Sequence, residues 1–277
     1  MINFAAADVH VVLHSEKLFN IGGVSISNSM LLGWIVSGLM VLGFIAAAKR
    51  IKVNTSGKIV SILEIIAELI TGMASDIMHD RKKAIKYAPL LITLFCFIMF
   101  NNWAGLLPGV GSVTYHGEPL FRAWTSDLTG TLAIAITSIV LIQIYTIREL
   151  KPKGYFTHYF TNKPWNPINL FVGTLEFIGE ITRIASLSLR LFGNIFAGEV
   201  LLLVLSAISS IGSPIATLPF IIMELFVGFI QAYVFTTLVI VYLTLATTSH
   251  DEQHSKASDH PIVNQAPGEI MAKGSPK

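Results

Sequence analysis

The sequence predicts an all-α integral membrane protein with five membrane spans plus one interfacial amphipathic helix, the last two spans forming a long, steeply tilted helical hairpin. Three observations predict it. The 277-residue chain is 53% hydrophobic and 13% charged, about half the charge fraction of an ordinary soluble domain. Its apolar residues gather into uncharged runs close to the roughly 20 residues that cross about 30 Å of hydrocarbon. Its lysines and arginines crowd the segments that would share one side of a bilayer.

The composition also excludes classes of function. A net charge of +2 is too small to argue for nucleic acid, and there is neither a Gly-rich phosphate loop nor basic-aromatic interleaving. Cys96 is the only cysteine and can form no internal disulfide. The amino terminus carries Asp8, His10, His14 and Glu16 ahead of Lys17, which is not a basic region leading into an apolar one, so no cleaved signal peptide is expected.

The first span is Met30 to Ala48, free of charge until Lys49, Arg50 and Lys52 end it. From Gly57 to Met78, Glu64, Glu68 and Asp76 fall near one helical face while Ile62, Leu63, Ile66, Leu69 and Ile70 fill much of the rest, the pattern of a helix lying in the interface. The acidic stripe suits solvent, or a neighbouring subunit. Tyr87 to Leu107 and Leu128 to Thr146 are the second and third spans, with Trp103, Trp124 and Trp165 near boundaries, where indole rings favour the headgroup zone.

Two further apolar stretches are overlong. Ile168 to Ser206 would measure about 58 Å as one helix and Ser213 to Thr248 about 54 Å. Either both tilt beyond the usual 0–40° range, or they break at Gly193, Gly198 and Pro219. Twelve cations (Lys49, Arg50, Lys52, Lys58, Arg81, Lys82, Lys83, Lys86, Arg148, Lys151, Lys153 and Lys163) would lie on one side and only Lys17 and Arg122 on the other. The crowded side is then cytoplasmic and the amino terminus outside. Residues 1–27 read as an extracytoplasmic segment, 28–250 as the membrane domain and 251–277 as a polar cytoplasmic tail, expected to be disordered.

The fourth and fifth spans bury ionisable groups: Glu176, Glu180, Arg183, Arg190 and Glu199, then Glu224 with Gln231. An arginine or aspartate at mid-span costs about 2.5–3.5 kcal/mol on insertion scales, so several together need compensation. One reading is that the arginines pair with glutamates and stitch helices together. The other is an ion pathway. At 100° per residue Asn194, Arg183, Glu176 and Glu180 fall within about 80° of Arg190, whereas Glu199 lies about 180° away. Glu224 and Gln231 share a face within about 20°. Small Gly193, Ala197 and Gly198 between the charges suit a helix that contacts something moving.

The run from Ser186 through Arg190, Gly193, Asn194, Ala197 and Gly198 to Glu199 resembles the signature of subunit a of F-type ATP synthases, in which the arginine faces the rotating c-ring. Asn102 with Gly105-Leu106-Leu107-Pro108, Asp127 with Thr129 and Thr131, Gln231-Ala232-Tyr233-Val234-Phe235 and Tyr242-Leu243 follow in the family's order. The similarity spans roughly residues 28–250. It departs at Glu224, where some members carry histidine.

The resemblance implies an ion-conducting stator subunit, not catalytic alone, in a bacterial inner membrane. Two half-channels would carry protons, or sodium, to and from the c-ring, and peripheral-stalk b subunits would be further partners. By the resemblance Arg190 would face the ring, Asn194 and Gln231 would support it, Glu199 and Glu224 would line access from outside, and Glu176, Glu180 and Arg183 would border the cytoplasmic exit. No cofactor or metal is called for, since the only helical histidine pairs, His10 with His14 and His250 with His254, lie in polar ends. A secondary ion-coupled transporter is the alternative, though such proteins usually carry internal repeats, and none is visible between the halves.

Overall fold

The structure is a computed structural model and describes residues 17–21, 24–50, 58–107, 110, 114–115, 118–119, 121–159, 167–208 and 213–247. Six helices dominate it: α1 (Asn28–Arg50), α2 (Lys58–Met78), α3 (Arg81–Ala104), α4 (Leu128–Tyr159), α5 (Pro167–Ile208) and α6 (Ser213–Thr247). Five contain segments long and apolar enough to cross a membrane: Asn28–Lys49, Arg81–Ala104, Leu128–Glu149, Ile181–Leu202 and Thr217–Thr247. This is the expected all-α membrane fold. Two short antiparallel hairpins were not anticipated, β1 (Lys17–Ile21) with β2 (Val24–Ser27) and β3 (Thr114–Tyr115) with β4 (Glu118–Pro119).

Helix ends differ from the sequence expectation for identifiable reasons. The second span was expected from Tyr87 to Leu107, yet α3 starts at Arg81. The Asp80 carboxylate accepts from the backbone N–H groups of Lys82 and Lys83 at 2.9 and 3.2 Å, satisfying donors that a helix start leaves open. Its basic first turn is therefore helical although hydropathy reads it as a connection. His79, with a positive φ of 52°, sits where the chain reverses between α2 and α3. At the other end of the span, α3 stops at Ala104. The third span was expected to end at Thr146, but α4 runs on to Tyr159, since leaving an apolar segment does not end a helix.

The expected amphipathic helix exists as α2. Glu64, Glu68 and Asp76 are exposed, as the pattern required, while Ile70 and Ala74 are buried. Ile62, Ile65 and Leu69 are exposed beside the acidic groups, so the acidic stripe shares its surface with apolar side chains.

α3, α4, α5 and α6 form the central bundle, with α2 packed along α3 and α6. Tyr87, Leu91, Phe95 and Ile98 of α3, Leu187, Leu191 and Ile195 of α5, and Phe235, Val239 and Leu243 of α6 supply its buried core. Phe95 meets Phe229 edge to face at 5.7 Å, an arrangement the ring quadrupoles favour. Asn102 and Trp103 donate to the Gly228 and Leu225 carbonyls of α6 at 3.1 and 3.0 Å, pinning the end of α3.

The span in α1 is the least buried of the five. It is docked by Trp124, in a 3₁₀ turn (Trp124–Ser126) ahead of α4. A Cβ on Gly33 of α1 would lie 2.8 Å from the Trp124 ring, and one on Gly130 of α4 would lie 2.7 Å from the Trp124 carbonyl oxygen. Trp124 is thus a wedge between two glycine faces as well as a boundary residue, while Trp165 lies outside the described residues. Ser29 adds a buried hydrogen bond to Asp127, 2.8 Å long, and Asp127 also accepts from the Thr129 N–H at 3.0 Å.

α5 and α6 run unbroken through Gly193, Gly198 and Pro219. The breaks considered as the alternative to tilting do not occur. The 42 residues of α5 extend about 63 Å, although its apolar window covers only Ile181–Leu202.

Candidate ion-pathway site

α5 has two unlike faces. Leu187, Ser188, Leu191, Ile195 and Gly198 are buried, and the Ser188 hydroxyl lies 3.2 Å from that of Thr131 in α4. The other face exposes Ala185, Ser186, Leu189, Arg190, Gly193, Asn194 and Ala197, the i, i+1, i+4 spacing of a helix stripe. It is mostly small. A Cβ on Gly193 would meet nothing within 4 Å.

Arg190 projects from this stripe, and no carboxylate among the described residues lies within ion-pairing distance of it. The stitching reading required such a partner. Arg183 does not pair with a described carboxylate either; its guanidinium lies over the Tyr242 ring of α6, 4.7 Å from the centroid, a cation–π contact. The side chains of Glu176 and Glu180 lie outside the described residues, although both positions are in α5.

Behind the stripe, polar groups converge where α5, α6 and α3 meet. Asn194 Nδ2 donates to Gln231 Oε1 at 2.8 Å, so the exposed face and the buried face of the next helix are joined by one bond. Glu224 is 6% exposed. Its carboxyl sits against Gly198, where any Cβ would collide with it. Gln231 Nε2, Asn102 Oδ1 and Thr236 Oγ1 are buried and have no hydrogen-bond partner among the described residues. Buried polar atoms normally find partners, so these open donors and acceptors are suited to water.

Glu199 is turned away from Arg190, as the half-turn spacing required. Its Oε2 lies 3.7 Å from Arg122 Nη2. Arg122 was counted in the sequence only as one of two sparse-side cations and was missed as a partner of the site. Its position on that side was the one available signal. The Gly198–Glu224 approach was missed too, because small residues near charges do not say which helix comes close.

Among the described residues no cluster of histidine, cysteine, aspartate and glutamate could hold a metal. Both histidine pairs noted in the sequence lie outside the described residues.

Comparison with known proteins follows the same outline. The family model described as ATP synthase A chain matches residues 30–244. The chain is similar to ATP synthase subunit a of Moorella thermoacetica, 32% identical over 234 residues that cover 84% of this chain and 97% of that one. It is 32% identical over 245 residues to ATP synthase subunit a of Desulforamulus reducens, covering 86% of each chain. To ATP synthase subunit a of Stutzerimonas stutzeri it is 32% identical over 232 residues, 79% of this chain and 77% of that one.

Proposed function

This chain belongs to the ATP synthase A chain family, multi-pass membrane components of the ATP synthase complex that are not catalytic alone, and from that premise we propose that it is the ion-conducting stator of a rotary motor. Two half-channels deliver protons, or sodium, to and from carboxylates on a c-ring that passes the exposed stripe of α5. The single observation that carries this reading is Arg190, exposed on a face of small residues, within an apolar span, without a described carboxylate partner. A guanidinium there is costly unless an anion meets it, and a ring carboxylate would supply one.

The chemistry follows from that placement. A guanidinium keeps its charge at any relevant pH. It favours the ionised form of a carboxylate brought beside it, so the ring residue releases its ion on approach. The same charge repels a cation moving straight from one half-channel to the other. Asn194, bonded to Gln231, holds the flank of the arginine. Glu224, Gln231 and Asn102 offer polar atoms for the access route, with Glu199 at its rim. Glu176, Glu180 and Arg183 border the exit.

The lysine and arginine asymmetry supports an orientation with the amino terminus outside and the carboxyl terminus cytoplasmic, and the likeness to bacterial subunits a supports a bacterial inner membrane. The unbroken length of α5 and α6 supports steep tilting along the ring. The peripheral-stalk b subunits are the other partners, and the mixed acidic and apolar surface of α2 is available to them.

Reconstitution tests the assignment. Vesicles holding this chain alone should show no coupled transport, and vesicles holding it with the c-ring and the catalytic sector should acidify on ATP addition. Ion-coupled uptake by the chain alone would favour a secondary transporter instead.

A further inference from the structure

Glu199 carries a relationship that the ring-facing mechanism does not use. Arg122 reaches it from the segment just ahead of the 3₁₀ turn, Nη2 to Oε2 at 3.7 Å. The arginine is itself held. Its Nε–H donates to Ser126 Oγ at 3.2 Å, and that hydroxyl donates to the Ala123 carbonyl at 2.9 Å. Its side chain is 11% exposed against 40% for Glu199.

The two oxygens of Glu199 are therefore not equivalent. Oε2 is buried, faces the anchored cation and accepts no hydrogen bond from the described residues. With that oxygen hidden, the exposure of the side chain lies on its other atoms. We infer that Arg122 is a positioning residue for ion access: it tethers one oxygen of Glu199 through charge, so that the other is presented at the channel rim. The inference rests on the reading of Glu199 as an access-channel group.

The physical reasoning is that of an anchored pair. A glutamate loses appreciable rotamer entropy when held in one geometry, and an exposed ion pair with two mobile partners contributes little. Here the cation is fixed beforehand by Ser126, so the carboxylate alone has to be ordered. Contact through charge predicts energetic coupling between positions 122 and 199. A purely structural arginine, stiffening the segment through Ser126, predicts none.

A double-mutant cycle decides between them, using the assembled complex in vesicles, with ATP-driven acidification normalised to the amount of complex. Arg122→Gln in the wild-type background should slow acidification about tenfold, which corresponds to an interaction energy within the range of contacting residues. The same change in a Glu199→Gln background should slow it less than about twofold further, because the charge it would hold is gone. Arg122→Lys should recover part of the rate, since it keeps the cation but loses the Nε–H that Ser126 holds. If Arg122→Gln does not assemble, Ser126→Ala serves in its place: it removes the acceptor of the arginine Nε–H, and its cost should likewise vanish beside Glu199→Gln.

Equal losses in both backgrounds, or no recovery with lysine, would overturn the role of Arg122 while leaving the access channel standing. If Glu199→Gln alone pumps at the wild-type rate, the channel reading of Glu199 fails, and the inference fails with it.

Discussion

The carboxyl group of Glu224 rests against Gly198, one helix away, in a space that a single methyl group would fill. Glu224 is buried on α6, and Gly198 is on the packed side of α5. A glycine here is a steric requirement of the neighbour rather than a backbone one, since the helix runs through it without a break. Gly198→Ala should therefore displace the Glu224 side chain, with about 1–3 kcal/mol of overpacking. The expected outcome is an assembled complex whose ATP-driven acidification falls about tenfold or more. Wild-type acidification by an assembled Gly198→Ala complex would separate Glu224 from the pathway.

Arg183 and Tyr242 offer a second test, because phenylalanine keeps the ring that leucine removes. The guanidinium over the Tyr242 ring is held by a contact of about 0.5–2 kcal/mol. Tyr242→Phe should leave pumping within about twofold of wild type, and Tyr242→Leu should reduce it about threefold to tenfold. Equal losses with the two substitutions would show that the hydroxyl, not the ring, matters, and wild-type pumping by both would show that neither does.

Docking of α1 depends on Trp124 fitting between Gly33 and Gly130. Gly33→Val adds a branched side chain where the ring lies and should detach α1 from the 3₁₀ turn. Proteolysis of the detergent-solubilised complex should then cut α1 earlier than in wild type, while Gly38→Val, at a position with nothing within 4 Å, should not change the digestion. Identical digestion of all three would contradict the wedge.

The residues that were legible in the sequence are those whose signal is local. Apolar runs located all five spans, and the 100° step placed Arg190 and Glu199 on opposite sides of α5, where the structure has one on the exposed stripe and the other beside Arg122. The start of α3 was not legible, because Arg81, Lys82 and Lys83 read as a polar connection until Asp80 is seen capping them. Contacts between distant segments were not legible either. Nothing in the sequence around Arg122 names Glu199, and nothing around Trp124 names Gly33, since such pairs are fixed by how the helices pack.

The most direct measurement concerns Arg190. If its charge separates two half-channels, Arg190→Ala should abolish ATP-driven acidification and let ions leak passively through the assembled complex under an imposed potential. Arg190→Lys should fail as well, because a compact ammonium that can lose its proton on burial does not replace a guanidinium fixed in charge and reach. Acidification and potential-driven flux are measured in the same vesicles, with assembly checked in parallel. The account predicts no pumping and a leak for Arg190→Ala; an assembled Arg190→Ala complex that pumps like wild type and holds its gradient would contradict it.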